Sequence, residues 1–436
     1  MAQDDIDVVV IGAGFAGLAA ARELGWLGLR VTTVEARNRI GGRTHTEQRW
    51  GIRLEMGGAY VHWHQPHVWA ELSRYGLGVV VAGAADASLA YWYADGALHS
   101  GTVGEFNELA AQRIRDLMQS ARDYLPHPYR PLAGIRVGDV DKLAVPEYLD
   151  RLELSAVERD LVDALIATDS SGQPGEVAMS QTFRWWVFAN GDWDQHFDMT
   201  GGFKIAEGTS ALAARMAADA RGEIRLTTQV TAIEQQANRV IVTLDNGEQL
   251  NAAAAIVTVP LSTLQRIDFT PPLSDGKRAM ITEGQMARGT KVWARLRGDY
   301  EPFLAIAPPR FPLTAAQVEG HVHGDTIVVG FGPDAEAFDP CDRAAVEQAL
   351  RLWIPDADVV DSFGHNWVAD EFAGETWPML RPGQLTHHFA DLRRPHGRVY
   401  FAGSIYARGW GSFIDGALES GIEQARAIAE IIQPGV

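Results

Sequence analysis

Asp7-Val-Val-Val-Ile-Gly-Ala-Gly-Phe-Ala-Gly17 stands almost at the start of this 436-residue chain. Val8 to Ile11 is an unbroken apolar run, the pattern of a strand buried on both faces of a parallel sheet. Gly12, Gly14 and Gly17 then give the spacing G-x-G-x-x-G. Gly12 permits a tight turn, Gly14 lets the backbone approach a pyrophosphate, and Gly17 lets the next helix lie close to its strand. Ala16 to Leu27 is rich in Ala, Leu, Arg and Glu, good helix formers. A helix starting there aims its free N–H groups at a phosphate. Val31 to Val34 reads as a second strand. Glu35 follows Gly17 by 18 residues, near the spacing at which an acid takes ribose hydroxyls. Strand, glycines, helix, strand and acid in this order predict a dinucleotide site. A carboxylate at 35, where an arginine would meet a 2′-phosphate, disfavours NADP and leaves NAD and FAD both open.

Arg37-Asn-Arg-Ile-Gly-Gly-Arg43 comes directly after the ribose acid, and Glu55-Met-Gly-Gly-Ala-Tyr60 supplies another glycine pair. Near the C-terminus stand Val399-Tyr-Phe-Ala-Gly-Ser404, Trp410 and Phe413-Ile-Asp-Gly-Ala417. In sequence these segments resemble the successive flavin motifs of the flavin amine oxidase family, with the monoamine oxidases as its best-known members. The resemblance covers nearly the whole chain. Within the family the chain looks most like the bacterial 6-hydroxy-L-nicotine oxidases. That likeness is carried by Gly57-Gly-Ala-Tyr60, the short chain, Trp367-Val-Ala-Asp370, Arg381-Pro-Gly-Gln384 and the lack of a membrane tail.

The resemblance implies FAD as cofactor. It assigns to the nucleotide end Gly12, Gly14, Phe15, Ala16, Gly17, Glu35, Ala36 and Arg37, with Val230 at the adenine. Gly41, Gly42, Arg43, Gly57, Gly58, Ala59 and Tyr60 follow along the cofactor. Gly403, Ser404, Phe413, Ile414 and Ala417 close the set. Many family members attach FAD through a cysteine in a segment ending Pro-Gly. Counting back from Arg381-Pro-Gly383 puts Glu375 at that place, and Cys341 lies far upstream, so noncovalent FAD is expected.

The implied fold is α/β: a Rossmann-like FAD-binding domain with an interleaved α+β substrate domain of mixed sheet and helices. The FAD-binding segments are expected at 1–66, 201–270 and 386–436, and the substrate segments at 67–200, a helical insert, and 271–385. A hydrophobic content of 46% over this length suits two intimate domains with a large core. The net charge of −18 is the opposite of a nucleic-acid binder's balance. It matches solubility and an attraction for cationic amines. One cysteine allows no disulfide within the chain and suits a reducing cytoplasm. Met1 to Ile6 has no basic leader. No run approaches the ~18 apolar residues of a membrane helix.

Helical spacing is read at 67–78 and at 105–124, with Leu109, Ile114, Leu117 and Met118 inward. It returns at 145–169, with Tyr148, Leu149, Leu152, Leu161 and Leu165 inward, and over 344–353. Strands are read at 79–81, 90–93, 224–226, 230–233, 240–244, 253–259 and 290–296, and between Gly320 and Phe331. The aromatic stretch Phe183-Arg-Trp-Trp-Val-Phe-Ala-Asn-Gly-Asp-Trp193 reads as core with some lining of a substrate entrance.

Lys291 sits in Thr-Lys-Val-Trp-Ala-Arg-Leu, where alternation groups it with Trp293 and Arg295 on one strand face. By itself such a lysine reads as a surface residue. The resemblance instead implies a lysine held through water near flavin N5, where a cation assists oxygen reduction. His62, His64 and His67 follow the glycine pair. No cysteine or carboxylate cluster accompanies them, so no metal is expected, and His62 is a candidate substrate contact. Asp415 reads as an ordinary acid cap of its own helix, 416–432, whose backbone N–H groups face the flavin pyrimidine end in the family. Trp377 and Phe413 match the two rings that flank the amine nitrogen before the flavin.

The implied function is FAD-dependent oxidation of the C–N bond of a small amine, best a cyclic secondary amine of the 6-hydroxynicotine type. Hydride passes to N5, and O2 is reduced to hydrogen peroxide. Primary monoamine or polyamine oxidation is an alternative. An L-amino-acid oxidase would need an arginine on the substrate carboxylate, Arg184 or Arg408. A non-catalytic FAD-binding module is the third alternative. The implied partners are the amine and O2, with no nucleic acid and no membrane; a homodimer is one compatible assembly.

Overall fold

Ile6–Ile11 runs parallel to Val31–Val34 on one side and to Gln249–Val257 on the other. It is therefore a central strand, and Val8, Val9 and Val10 are fully buried. The computed structural model describes residues 6–433; the readings made of Met1–Asp5 and Pro434–Val436 lie outside them. The sheet continues in the order Asp268–Thr270, Val230–Gln235, Val240–Leu244, Gln249–Val257, Ile6–Ile11, Val31–Val34 and Glu223–Arg225. Val399–Phe401 pairs in parallel with the second half of Gln249–Val257.

Two helices pack on one another beside this sheet, Phe15–Trp26 and Ile414–Ile432. A Cβ on Gly421 would stand 2.2 Å from the Ala16 carbonyl oxygen, so the two helices touch main chain to main chain there, and one on Gly17 would stand 1.9 Å from the Gly12 carbonyl oxygen in the turn after the first strand.

A second sheet has the order Val359–Phe363, Thr290–Leu296, Asp325–Gly332, Ala315–Val322, Phe303–Ile306, Leu89–Ala94 and Ala97–Thr102. Antiparallel register across it aligns Lys291, Phe331, Ala315 and Ile306 in one row, and Trp293, Val329, Gln317 and Leu304 in the next. Directly opposed residues share a face. That face meets the hairpin of Thr46–Arg49 and Ile52–Glu55: Trp293 Nε1 donates to the carbonyl of Glu55 at 3.1 Å.

Between the sheets lies the helical insert. Val103–Gln119 and Ala156–Ser170 each begin with a capping box, Thr102 with Glu105 and Ser155 with Glu158. The Ser155 cap starts a new helix, so the segment read as one helix over 145–169 is two, Val145–Leu149 and Ala156–Ser170. Leu152 falls in the connecting turn and is 38% exposed, not inward. Leu109 is likewise 38% exposed, while Ile114, Leu117 and Met118 are buried as read. One continuous core joins Val9 and Ile11 to Leu264, Met379, Phe183 and Trp186. The insert is thus packed onto the nucleotide sheet. Among the described residues no helix is long and apolar enough to cross a membrane.

Asp415 does not cap its own helix. Its Oδ1 accepts from the backbone N–H groups of His67 (2.6 Å) and Val68 (2.9 Å), the free amides of the neighbouring helix Pro66–Tyr75. Gln65, the residue before that helix, supplies no side-chain cap. Asp415 is fully buried, so these amides and the His67 ring take the place of water. Burial pulls the His67 pKa down, but the hydrogen bond and charge of Asp415 outweigh it and the net shift is upward. A raised folded-state pKa stabilises fully below the unfolded value and is lost as pH rises through the folded one. His67→Gln should therefore lower the denaturation midpoint more at about pH 5.5 than at about pH 9. A deficit independent of pH would show that the ring is not charged in the fold.

Candidate functional site

Between the two sheets lies a cavity of about 570 Å³, within the size range of small-molecule sites. Gly12, Gly14, Phe15 and Ala16 form its wall at one end. Gly12 has φ +105°, a conformation that an L side chain rarely adopts. The helix Phe15–Trp26 starts at Gly14 with no side-chain cap and no acid in its first turn. Its leading N–H groups are therefore available to an anion. Glu35 is 5% exposed and accepts from the N–H groups of Ala13 (2.7 Å) and Arg37 (2.9 Å), which hold its carboxylate at the wall. A Cβ on Gly42 would stand 3.2 Å from the Gly14 Cα, so the Gly41-Gly42 segment lies across the glycine turn.

Arg43 continues the wall. Its guanidinium donates to Glu375 Oε1 at 2.6 Å and to the carbonyl of Thr376. Glu375 Oε2 accepts from the Ser262 N–H and hydroxyl at 3.1 and 2.7 Å. Glu375 is fully buried and neutralised by a cation of the neighbouring segment. A Cβ on Gly57 would stand 2.0 Å from the Arg43 carbonyl oxygen, which explains that glycine. Gly58, Ala59 and Tyr60 extend the same wall, with Ala36, Arg37 and Val230 at the nucleotide end.

Gly403, Ser404, Phe413, Ile414 and Ala417 line the wall at the start of the closing helix. Phe413 precedes that helix and provides no side-chain cap, so a second helix N-terminus is open to the cavity. The donor set fits an extended dinucleotide. It combines two uncapped helix starts, one acid for ribose and a glycine cradle that any Cβ would fill.

Lys291 lines the cavity and is 7% exposed. Its Nζ donates to the Gly57 carbonyl at 3.2 Å, and the Tyr60, Trp293 and Phe331 rings stand 5.2–6.0 Å away. Burial pushes its pKa down to about 8, against the pull of Glu55 and Glu319. Trp377 donates from Nε1 to the Asp169 carbonyl at 2.9 Å. The Phe413 ring meets Trp185 at 4.8 Å and Trp410 at 5.3 Å, both near-perpendicular. Trp377 and Phe413 line the same cavity.

Beyond them the wall is largely apolar: Phe106, Leu165, Trp185, Trp193 and Phe197 from the insert, and Leu304, Ile306, Ala315 and Phe331 from the second sheet. Its polar members include Asp169, Asp194, Asp198, Gln317 and Thr290. Thr290 Oγ1 is buried without a partner among the described residues. Sequence reasoning named none of these five. Each belongs to an element whose side facing the cavity is set by pairing and packing, and no local pattern separates a lining aspartate from a solvated one.

Two of the residues singled out from the sequence are not on the wall. Gly17 acts one layer behind, through its contact with Gly12. His62 is 1% exposed, its ring 3.8 Å from that of Trp63. Its Nδ1 accepts from the His64 N–H, so Nε2 carries the proton and donates to Asp198 Oδ2 at 3.0 Å. Burial lowers its pKa against the pull of Asp198. His62, expected as a substrate contact, lies behind the wall and meets the cavity only through Asp198, which does line it. His64 meets the Met199 sulfur and His67 meets Asp415, so the three histidines face three different partners.

Arg184 and Arg408 also lie away from the wall. The Arg184 guanidinium is spent on the carbonyls of Ala407 (3.1 Å) and Arg408 (3.3 Å), and burial pushes its pKa down to about 10. Arg408 pairs with Glu423 at an exposed site. The arginines on the wall are Arg37, Arg43 and Arg266, paired with Asp370, Glu375 and Glu371. Among the described residues, each arginine of the wall thus has a carboxylate partner.

Residues 15–429 match the family model described as flavin containing amine oxidoreductase. A nicotine dehydrogenase of Pseudomonas putida is 36% identical over 98% of this chain and 89% of its own length. The (S)-6-hydroxynicotine oxidase of Paenarthrobacter nicotinovorans is 31% identical over 95% of this chain and 97% of its own. A solved structure of putrescine oxidase bound to putrescine superposes with a TM-score of 0.85 at 23% identity, over 97% of this chain and 99% of that one.

Lys291 can be titrated directly, because the chain has only four lysines. Burial places both Lys277 and Lys291 at about 8. An NMR titration of the lysine Cε protons should show two groups titrating near pH 8, and Lys291→Met should remove one. Four lysines titrating at about 10.4, the solvated value, would refute the burial of this ammonium.

Proposed function

The chain belongs to the family of flavin-containing amine oxidoreductases, and from that premise we propose that it oxidises a cyclic secondary amine of the 6-hydroxynicotine type. The observation that carries this reading is the single cavity. The glycine cradle and a set of aromatic side chains line the same cavity, together with Lys291, Trp377 and Phe413, and we place these three where the flavin would meet the amine. FAD, when bound, supplies a hydride acceptor at N5 and passes the electrons on to oxygen, which leaves as hydrogen peroxide.

The protein's part is binding and positioning. The N–H groups after Gly14 hold the pyrophosphate, Glu35 accepts from the ribose hydroxyls, and Val230 covers the adenine. Arg43 and the Gly57–Tyr60 segment run along the cofactor, while Gly403, Ser404 and the first turn of the closing helix meet the flavin end. Amides there stabilise negative charge on the reduced ring. We place FAD as noncovalent. Glu375 is locked to Arg43 and Ser262, and Cys341 is exposed and pairs with the Gly364 carbonyl.

The aromatic rings around the reacting nitrogen disfavour an ammonium there, so the amine reacts in its neutral form. The Trp377 and Phe413 rings turn negative faces to its nitrogen, worth roughly 0.5–2 kcal/mol when desolvated, and hold the α-carbon in line for transfer. Such a transfer needs no general base. The Lys291 ammonium stabilises the negative charge that develops as oxygen is reduced. We place the activity in the cytoplasm, where a lone exposed thiol stays reduced.

Purified protein should be yellow, and acid or heat should release intact FAD; flavin that stays with the denatured chain refutes noncovalent binding. Anaerobic (S)-6-hydroxynicotine should bleach the flavin, and air should restore it with one peroxide per amine. If no amine of a broad panel bleaches it, the amine reading falls. If bleaching is fast and oxygen restores colour slowly, the electron acceptor is not oxygen. Lys291→Met should slow reoxidation more than reduction, and the wild-type reoxidation rate should fall as pH rises through about 8. Trp377→Ala and Phe413→Ala should slow reduction at near-normal FAD content. Wild-type reduction rates in both would make these rings packing only.

A further inference from the structure

Gln317 is the one amide on the row of second-sheet side chains that faces the cavity. One strand, Asp325–Gly332, lies between its strand and that of Lys291, which puts the two strands roughly 10 Å apart at the usual spacing. Leu304, Ile306, Ala315 and Phe331 surround it with apolar surface. Its orientation is not free. Gln317 Nε2 donates to Glu319 Oε1 at 2.8 Å, and Glu319 is in turn ion-paired with Lys204 on the strand Phe203–Ile205. A carboxylate in an ion pair only accepts, so the NH2 end of the amide must face Glu319. The carbonyl oxygen is left for the cavity. The Tyr60 hydroxyl also meets this amide, in the sense that favours the phenolate, so an amide N–H is the donor there and the carbonyl is not engaged. The carboxylates across the cavity, Asp169, Asp194 and Asp198, are acceptors too. No arginine stands at this end among the described residues.

We propose that Gln317, turned by the Lys204–Glu319 ion pair, is a specificity determinant that selects amines carrying a hydrogen-bond donor, N–H or O–H, at the end remote from the reacting nitrogen. This rests on the amine reading above and narrows it. An apolar or acceptor-only remote end covers the half-buried carbonyl without giving it a partner, and a site built around such a group rejects the analogue that lacks the match. Lys204 and Glu319 are positioning residues: they act through the amide and touch no substrate.

The test compares matched amines: (S)-6-hydroxynicotine against nicotine, and 1,4-diaminobutane against n-butylamine. The holoenzyme should favour the donor-bearing member of at least one pair by about tenfold in kcat/KM, mostly through KM. Gln317→Leu should bring that ratio toward one. Gln317→Glu keeps the acceptor and adds charge, and should hold or raise it. Glu319→Gln, which frees the amide to turn, should lower it part-way. Flavin absorbance and the thermal midpoint report whether each variant folds. The proposal is overturned if the holoenzyme shows no preference in either pair, if Gln317→Leu keeps the preference while amines still bleach its flavin, or if Gln317→Glu loses it. Flavin that no amine bleaches, even in the wild type, instead overturns the amine reading itself.

Discussion

The contact of Gly17 with the Gly12 carbonyl sets the geometry of the whole molecule. With no Cβ in the way, the helix Phe15–Trp26 sits directly on its strand, and Gly421 lets the closing helix sit directly on Ala16. Two helices some 400 residues apart in sequence thus both start at the wall of one cavity, each with an uncapped N-terminus. Any side chain at Gly17 would lift the first helix off its strand and remove the anion site with it. The same economy recurs at Gly57, whose missing Cβ brings the second glycine pair onto the Arg43 carbonyl. The cradle is a backbone surface, and backbone surfaces of this kind exist only where glycines let main chains touch.

Charge is distributed along the cavity by burial as much as by composition. Glu35, Arg43, Glu375 and Lys291 are each held by named donors or acceptors, and each would be costly to bury alone. Arg43 and Glu375 neutralise one another across 332 residues of sequence. That pair ties the Gly41–Arg43 turn to the segment before Arg381-Pro-Gly383, where the family resemblance places a covalent flavin link. Lys291 is the exception: a carbonyl, not a carboxylate, is its hydrogen-bond acceptor. Burial lowers its pKa to about 8, and its charge is available to the cavity.

The chain reaches this arrangement by passing back and forth between two sheets. Strands of the first sheet fall within 6–34, 223–270 and 399–401, and those of the second within 89–102 and 290–363. One core cluster spans the nucleotide sheet and the insert, so the chamber is a seam between layers. Residues from the insert, from both sheets and from the closing helix meet there, and none could form the chamber alone.

The local patterns of this chain determined the nucleotide unit, because G-x-G-x-x-G, an apolar strand and an acid at fixed spacing encode a backbone shape with few alternatives. Helix and strand positions followed from periodicity wherever one face is wet, as at Ile114, Leu117 and Met118. Periodicity failed where both faces are buried or a cap intervenes. Leu152 was read inward because the pattern cannot see the Ser155 cap restarting the helix. Asp415 was read as the cap of its own helix because the neighbouring amides of His67 and Val68 lie far away in sequence. Lys291 reads as a surface residue from its strand alone; only the stacking of the second sheet on Gly57 and Glu55 makes it a buried cation. His62 was named where Asp198 lines the wall, since the side from which a substrate enters is a property of packing. Gln317 carries no sequence signal at all. The direction of its amide is fixed by an ion pair between Lys204 and Glu319, two residues that meet only when the strand Phe203–Ile205 is laid against the strand Ala315–Val322 in the middle of the second sheet.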